Sequence, residues 1–328
     1  MVPSGARHRR AALLLLGATA LWGVSFPLTK ALALAQSAAL AAGASTWFLT
    51  AATLVFRFGL AAGLLALFSR NALRRMSRAE IWQGCGLGFF GGAGMLLQID
   101  GLNYTAASTA AFLTASFVVI IPLVMAVQHR RAPSWRILSG IVLAAVGMTI
   151  LSGVDPIHLR LGRGEAENVL AACLFAAQIL WLERPRFQSN RTAPVTVVMF
   201  VFVAVLNLPV LLATARHSGE IATALGDGAP TVLAFLLTLT LLCTVCTFTV
   251  MNHWQKELPA TEAGLIYCAE PVWAALLSLG LPAWLAAWSG IAYANEQLTS
   301  RLLLGGGLIT LANVLAQLRP RRAQTGEG

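Results

Sequence analysis

The chain has 328 residues, 57% of them hydrophobic and 11% charged, with a mean hydropathy of +0.73. A soluble domain carries about 25% charged residues, so the composition excludes an ordinary soluble globule and indicates a polytopic membrane protein. The net charge of +10 does not point to nucleic acid, because the positive residues sit in short clusters between apolar runs, where they report topology.

A membrane-spanning helix needs about 20 apolar residues. Ten such spans are predicted, at 11–32, 47–68, 81–99, 106–128, 134–153, 166–183, 194–214, 231–252, 260–281 and 299–317. The start, MVPSGARHRR followed by an apolar run, resembles a signal peptide with Ala33-Leu34-Ala35 in the place of a cleavage site. The run is long enough to span and nine more follow, so an uncleaved first helix is expected. Basic residues alternate loop by loop. One side holds Arg7, Arg9, Arg10, Arg70, Arg74, Arg75, Arg78, Arg130, Arg131, Arg136, Arg184, Arg186, Arg191, Lys256, Arg319, Arg321 and Arg322. The other holds Lys30, Arg160, Arg163, Arg216 and Arg301. The richer side is the cytoplasmic one, which predicts ten spans with both termini in the cytoplasm, in the inner membrane of a bacterium.

The two halves echo each other. Ala107-Ser108-Thr109-Ala110-Ala111-Phe112 lines up with Ala260-Thr261-Glu262-Ala263-Gly264-Leu265 at a displacement of 153, and Arg136 and Gly140 line up with Arg301 and Gly305 at 165. Residues 11–153 and 166–317 are therefore expected to be five-span repeats. An odd number of spans per repeat inverts the second in the membrane, an architecture that places the binding site near the midplane between halves. The difference in displacement is an insertion near 282–293, where Trp284 and Trp288 share a helical face, predicting a short interfacial helix. Gly84, Gly88 and Gly92 on span three, and Gly59 and Gly63 on span two, predict close helix packing.

Charged residues inside spans are costly and usually face a cavity or a partner. Arg57 lies near the middle of span two, with Asp100, Glu262 and Glu270 as its candidate partners. Glu270 precedes Pro271, whose ring removes a backbone donor and kinks the helix; a carboxylate there can bind a proton or a cationic substrate group. Glu262, in the first turn of the same span, fits a helix-dipole role. Their counterparts in the first half are Thr109 and Phe117, so acid chemistry is expected from the second half alone. Trp22, Trp181 and Trp273 lie within spans and Gln98, Gln178 and Gln255 within or at the ends of spans, the aromatic and neutral polar mix of a small-molecule cavity. Cys85, Cys173, Cys243, Cys246 and Cys268 all fall in apolar segments and read as packing residues, and the five His do not cluster, so neither metal nor disulfide framework is expected. No phosphate-cradling loop is present for ATP-driven pumping.

The chain resembles the EamA-domain branch of the drug/metabolite transporter superfamily over nearly its whole length. The resemblance rests on Trp22-Gly23-Val24-Ser25-Phe26 with Lys30, on Arg57-Phe58, and on Leu97-Gln98 through Gly101-Leu102, Tyr104-Thr105 and Ala107-Ser108 to Leu113. In the second half it rests on Ala176-Ala177-Gln178-Ile179, Gln255, Ala263, Leu265-Ile266-Tyr267 and Glu270-Pro271-Val272. It implies an all-α integral membrane protein of two inverted five-helix repeats that moves small metabolites by alternating access, with no cofactor and no enzymatic activity. Ser25, Tyr104 and Tyr267 join the site candidates on this resemblance. Three departures stand out: Asn295-Glu296 where the family has Gly-Glu, Gln128-His129-Arg130 in place of the matching acidic residue of the first half, and Pro122 instead of a proline near Val118, which moves the expected bend of span four. The alternatives are an integral membrane enzyme acting on a lipid-linked substrate and a non-transporting membrane protein. The expected partners are a small-molecule metabolite, a coupling proton and the lipid bilayer; oligomeric state stays open.

Overall fold

The computed structural model describes residues 5–40, 44–128, 130, 132, 135–152, 161–226, 229–258, 263 and 266–317. Glu262 lies outside these residues, as do His129, Arg131, His158, Arg160, Arg319, Arg321 and Arg322 of the sequence pattern. Among the described residues there are helices and no strand. In chain order the helices are α1 (Gly5–Ala39), α2 (Thr46–Phe68), α3 (Arg78–Leu102), α4 (Ala107–Thr114), α5 (Phe117–Gln128), α6 (Trp135–Ser152), α7 (Arg163–Leu182), α8 (Thr192–Thr214), α9 (Pro230–Thr240), α10 (Thr247–Trp254), α11 (Ala269–Ser278), α12 (Leu281–Ser289) and α13 (Ser300–Gln317), with single turns between some of them.

Seven of the described segments are long and apolar enough to cross a membrane: α1, α2, α3, α4 with α5, α7, α8, and α9 with α10. This makes the chain a multi-pass membrane protein. The remaining three predicted spans fall on shorter elements. Two are the apolar stretches Leu138–Leu151 of α6 and Ser300–Leu315 of α13; the third is α11, bent by 53° against α12. The predicted helix in the insertion is α12, where Trp284 and Trp288 are both exposed. It stops at Gly290, whose φ of 74° is left-handed and disfavours any β-carbon.

The break in span four does not follow the proline. Pro122 sits inside α5, while the chain turns at Ala115 and Ser116. Asn313 of α13 donates to the Ala115 carbonyl at 3.2 Å, satisfying part of the opened backbone. Cys268, displaced from Ala115 by 153, is the turn residue just before α11. The two turns are thus 153 residues apart, whereas Pro122 and Pro271 are 149 apart.

Close packing needs small residues, and α3 supplies them on two faces. A β-carbon built at Gly84 would stand 2.6 Å from Val198 Cβ, and one at Gly88 would stand 2.6 Å from Phe202 Cβ, both on α8. One at Gly94 would stand 2.8 Å from Phe175 of α7. Gly59 and Gly63 of α2 meet nothing within 4 Å, so the packing role expected of them is absent. Beyond α3, the main pairings are α2 with α8, α6 with α13, and α1 with α11. The last is closest at Gly23, where a β-carbon would lie 2.5 Å from Trp273 Cβ.

Candidate functional site

A cavity of about 90 Å³ lies where α1, α2, α3, α4, α5, α7, α10 and the start of α11 converge. By that measure it holds several waters, each needing roughly 10–15 Å³. Its walls are mostly aromatic and aliphatic: Trp22, Phe26, Phe117, Phe175, Phe248, Met95, Met251, Ile179 and Leu182. The polar groups are few: Ser25, Arg57, Gln98, Thr114, Gln178, Tyr267 and Glu270. Trp22 packs edge-on against Phe248 at 5.7 Å and Tyr267 at 5.8 Å between ring centroids, which fixes one wall. Glycine shapes the opposite wall. A β-carbon at Gly91 would stand 2.5 Å from Gln178 Nε2, so the amide of Gln178 lies across α3 only because that position is glycine.

Arg57 is buried, and of its expected carboxylate partners neither Asp100 nor Glu270 holds it; Glu262 lies outside the described residues. Asp100 pairs instead with Arg163, and no ion pair joins Arg57 to Glu270 among the described residues. Arg57 Nε donates to Thr244 Oγ1 and Nη2 donates to the Cys243 carbonyl at 3.0 Å. Both acceptors belong to Leu241–Cys246, a π-helical turn between α9 and α10. Such a turn leaves carbonyls without their usual helical donors, and the guanidinium supplies them. Thr244 Oγ1 in turn donates back to the Leu239 carbonyl at 3.0 Å. Arg57 is thus first a lock on an irregular helix and, with its remaining nitrogen, a cation at the cavity wall. Glu270 sits in the same cavity with no hydrogen-bond or ion-pair partner among the described residues.

Two polar chains leave the cavity in opposite directions. In one, Gln98 Nε2 donates to Thr114 Oγ1 at 3.4 Å, and Thr114 Oγ1 lies 3.0 Å from Asn168 Oδ1. Beyond Asn168 lies a cluster in which Arg163 bridges Asp100, Glu167 at 2.8 Å and the Tyr104 hydroxyl at 2.7 Å. In the other, Tyr267 donates to Gln255 Oε1 at 2.7 Å, and Gln255 Nε2 donates to Glu183 Oε1 at 3.3 Å. Burial raises the pKa of Glu183 above the ordinary carboxylate value, and the bond from Gln255 only partly opposes it.

Of the sequence candidates, Trp22, Ser25, Arg57, Gln98, Gln178, Tyr267 and Glu270 come together at the cavity. Four do not line it. Gln255 lies one bond behind Tyr267. Tyr104 is exposed among Arg163 and Thr46. Trp181 faces away, its indole N–H donating to the Gln83 carbonyl at 3.1 Å and its ring flanked by Arg184 and Arg186. Trp273 is turned outward and 38% exposed, because α1 crosses α11 at its Cβ. Thr114 was missed, as were Phe117, Phe175 and the other apolar lining residues. Nothing distinguishes a cavity-facing Phe from a packed one in sequence; Thr114 carried a weak signal as a polar residue deep in an apolar span.

Asn295-Glu296 also has a clear place. Asn295 Oδ1 accepts from Ala283 N at 2.8 Å and caps α12. Glu296 Oε1 accepts from Ala107 N at 2.8 Å and Ser108 N at 3.3 Å, capping α4. Lys30 Nζ donates to the Thr105 carbonyl beside it, so α1, the start of α4 and the segment before α13 are tied at one end.

The EamA-like transporter family model matches residues 9–153. An uncharacterized transporter of Archaeoglobus fulgidus is 28% identical over 226 residues, 69% of this chain and 65% of its own length. The match thus spans just under two thirds of that relative. A crystal structure of a protein matches 92% of this chain and 96% of its own, with a TM-score of 0.55 and 19% identity, a likeness of fold alone.

Proposed function

Starting from the EamA-family domain that residues 9–153 form, we propose that this chain is a secondary transporter of the drug/metabolite transporter superfamily that moves a small metabolite by alternating access. The observation that carries the reading is the central cavity: aromatic walls, neutral amides, one cation already engaged and one carboxylate, Glu270, facing it unpaired. A solute that fits is small and amphipathic, with an apolar body against Trp22 and Phe248 and a cationic or donor group, or a coupling proton, at Glu270. The comparisons point to a transporter rather than to an enzyme.

The helix pairing supports two inverted repeats of five spans over 11–153 and 166–317. Exchanging each span with the one five places on converts the α3–α7 contact into that of α1 with α9 and α10, and maps the α2–α8 and α6–α13 contacts onto themselves; all of these are present. The shared break at Ala115 and Cys268 supports the same symmetry. In this reading α12 lies at the outer interface, the termini are cytoplasmic, the Arg163 cluster faces outward and Glu183 faces the cytoplasm of a bacterial cell.

Purified protein reconstituted in vesicles and challenged with a metabolite panel is expected to show counterflow of at least one small amphipathic solute. No counterflow across a broad panel, with the protein folded and inserted, overturns the reading.

A further inference from the structure

The cluster beside the end of the first polar chain does not balance. Asp100 of α3 is fully buried, and Glu167 of α7 is 9% exposed. Arg163 bonds one oxygen of each, Asp100 Oδ2 and Glu167 Oε1. The other two oxygens, Asp100 Oδ1 and Glu167 Oε2, are buried and meet no hydrogen-bond donor among the described residues. The two side chains meet at the same guanidinium. Two carboxylates cannot bond each other, since neither carries a donor. With both ionised, the triad holds two negative charges against one positive in a region where an uncompensated charge is expensive.

One proton bound by the pair brings the triad to neutrality, as in carboxyl pairs that hold a single proton between them. Among the described residues, the other charged and titratable groups around the pair do not do this. Tyr104 accepts from Arg163 and stacks on it, with ring centroid and guanidinium 4.3 Å apart. Trp47 of α2 covers the guanidinium at 5.5 Å. Lys30 of α1 is spent on the Thr105 carbonyl, and Glu296 on the start of α4. Glu165, two residues on from Arg163, is a further carboxylate in the first turn of α7. Arg163 is 43% exposed, so the pair communicates with solvent, while the chain from the cavity through Thr114 ends next to the pair at Asn168, whose amide donates to the Gly164 carbonyl at 2.7 Å.

We infer that Asp100 and Glu167 form a proton-binding site, holding one exchangeable proton, beside the polar chain that leads from the cavity through Thr114 to Asn168. Its use in coupling rests on the transporter reading; its existence does not. The test is infrared pH-step difference spectroscopy on full-length protein in lipid nanodiscs without solute. A protonated-carboxyl band is expected at neutral pH, lost in Asp100→Asn and in Glu167→Gln alone and kept in Glu270→Gln. If a variant does not fold, carboxyl-labelled aspartate and glutamate in the unsubstituted chain assign the band by its isotope shift. Absence of any band that both substitutions remove overturns the proposal, whatever band Glu183 contributes. So does loss of the band on adding sodium ions, which would make the pair a metal-cation site. In vesicles, Asp100→Asn and Glu167→Gln are each expected to lose pH-gradient dependence of uptake. A band without any transport sinks the transporter reading and leaves the proton site; transport without the band sinks the proton site alone.

Discussion

From one cavity, a polar chain runs through Thr114 to Asn168, beside the cluster of Arg163, Asp100 and Glu167, and another runs through Tyr267 and Gln255 to Glu183. The first ends beside formal charges buried around a single guanidinium. The second is neutral until its last member, each group donating once to the next. An apolar bundle tolerates a satisfied neutral chain at little cost, whereas a charged cluster with two unmet acceptors requires another participant. The difference suggests that the charged end binds and the neutral end conducts, with Glu270 between them.

The largest effect is expected at that junction. Glu270→Gln should abolish pH-gradient-driven uptake in reconstituted vesicles. Persistence of solute exchange in the same vesicles would assign Glu270 to the proton, and its loss would assign Glu270 to the cationic part of the solute. Unchanged gradient-driven uptake would remove Glu270 from both roles and detach the two ends from each other. Arg57→Ala should act on the fold instead. It removes the guanidinium's bonds to the Cys243 carbonyl, which keeps only the Thr247 hydroxyl at 2.8 Å, and to Thr244 Oγ1, and it empties a buried site. Two bonds from a charged group make the expected loss about 3–5 kcal/mol, read as a large drop in thermal unfolding temperature in detergent. A variant as stable as the parent would show that the π-turn between α9 and α10 holds without its lock.

The bundle was largely legible in the sequence because hydrocarbon length and loop charge are strong constraints. Seven predicted spans recur as long helices, and the insertion at 282–293 contains α12 as its tryptophan spacing suggested. The central site was half legible. Glu270, Arg57 and Gln178 stand out because polar groups inside a span are rare, but their partners are set by tertiary contact. Arg57 was expected against a carboxylate and meets a carbonyl freed by a π-turn that no residue pattern marks. The charged end was hardest to see. Asp100 read as a partner for Arg57, Glu167 drew no reading at all, and acid chemistry read as a property of the second half. Only the fold brings residues 67 positions apart under one guanidinium.

Two smaller effects sharpen the contrast between the ends. Gly101→Ala places a β-carbon 2.7 Å from Asn168 Nδ2 and 2.9 Å from the Gly164 carbonyl, pressing α3 away from α7 beside Asp100. Overpacking of that kind costs about 1–3 kcal/mol. Gly59→Ala, with nothing within 4 Å, should gain up to about 1 kcal/mol from helix propensity. Equal melting temperatures for the two variants would show that the charged end is not held as tightly as its geometry indicates.

The smallest effect belongs to the neutral end. Burial favours the protonated form of Glu183, so its folded-state pKa is above the unfolded one. A group of this kind contributes its full stability below the unfolded pKa and loses that contribution as pH rises through the folded value. Glu183→Gln keeps the side chain neutral and able to meet Gln255 at every pH. The variant should therefore match the parent in acid and exceed it increasingly once pH passes above the carboxylate range, as read by thermal unfolding across a pH series. A constant difference at all pH values would mean that Glu183 is solvated in the folded protein, and the second chain would then end at Gln255, wholly neutral, making the contrast with the charged end sharper still.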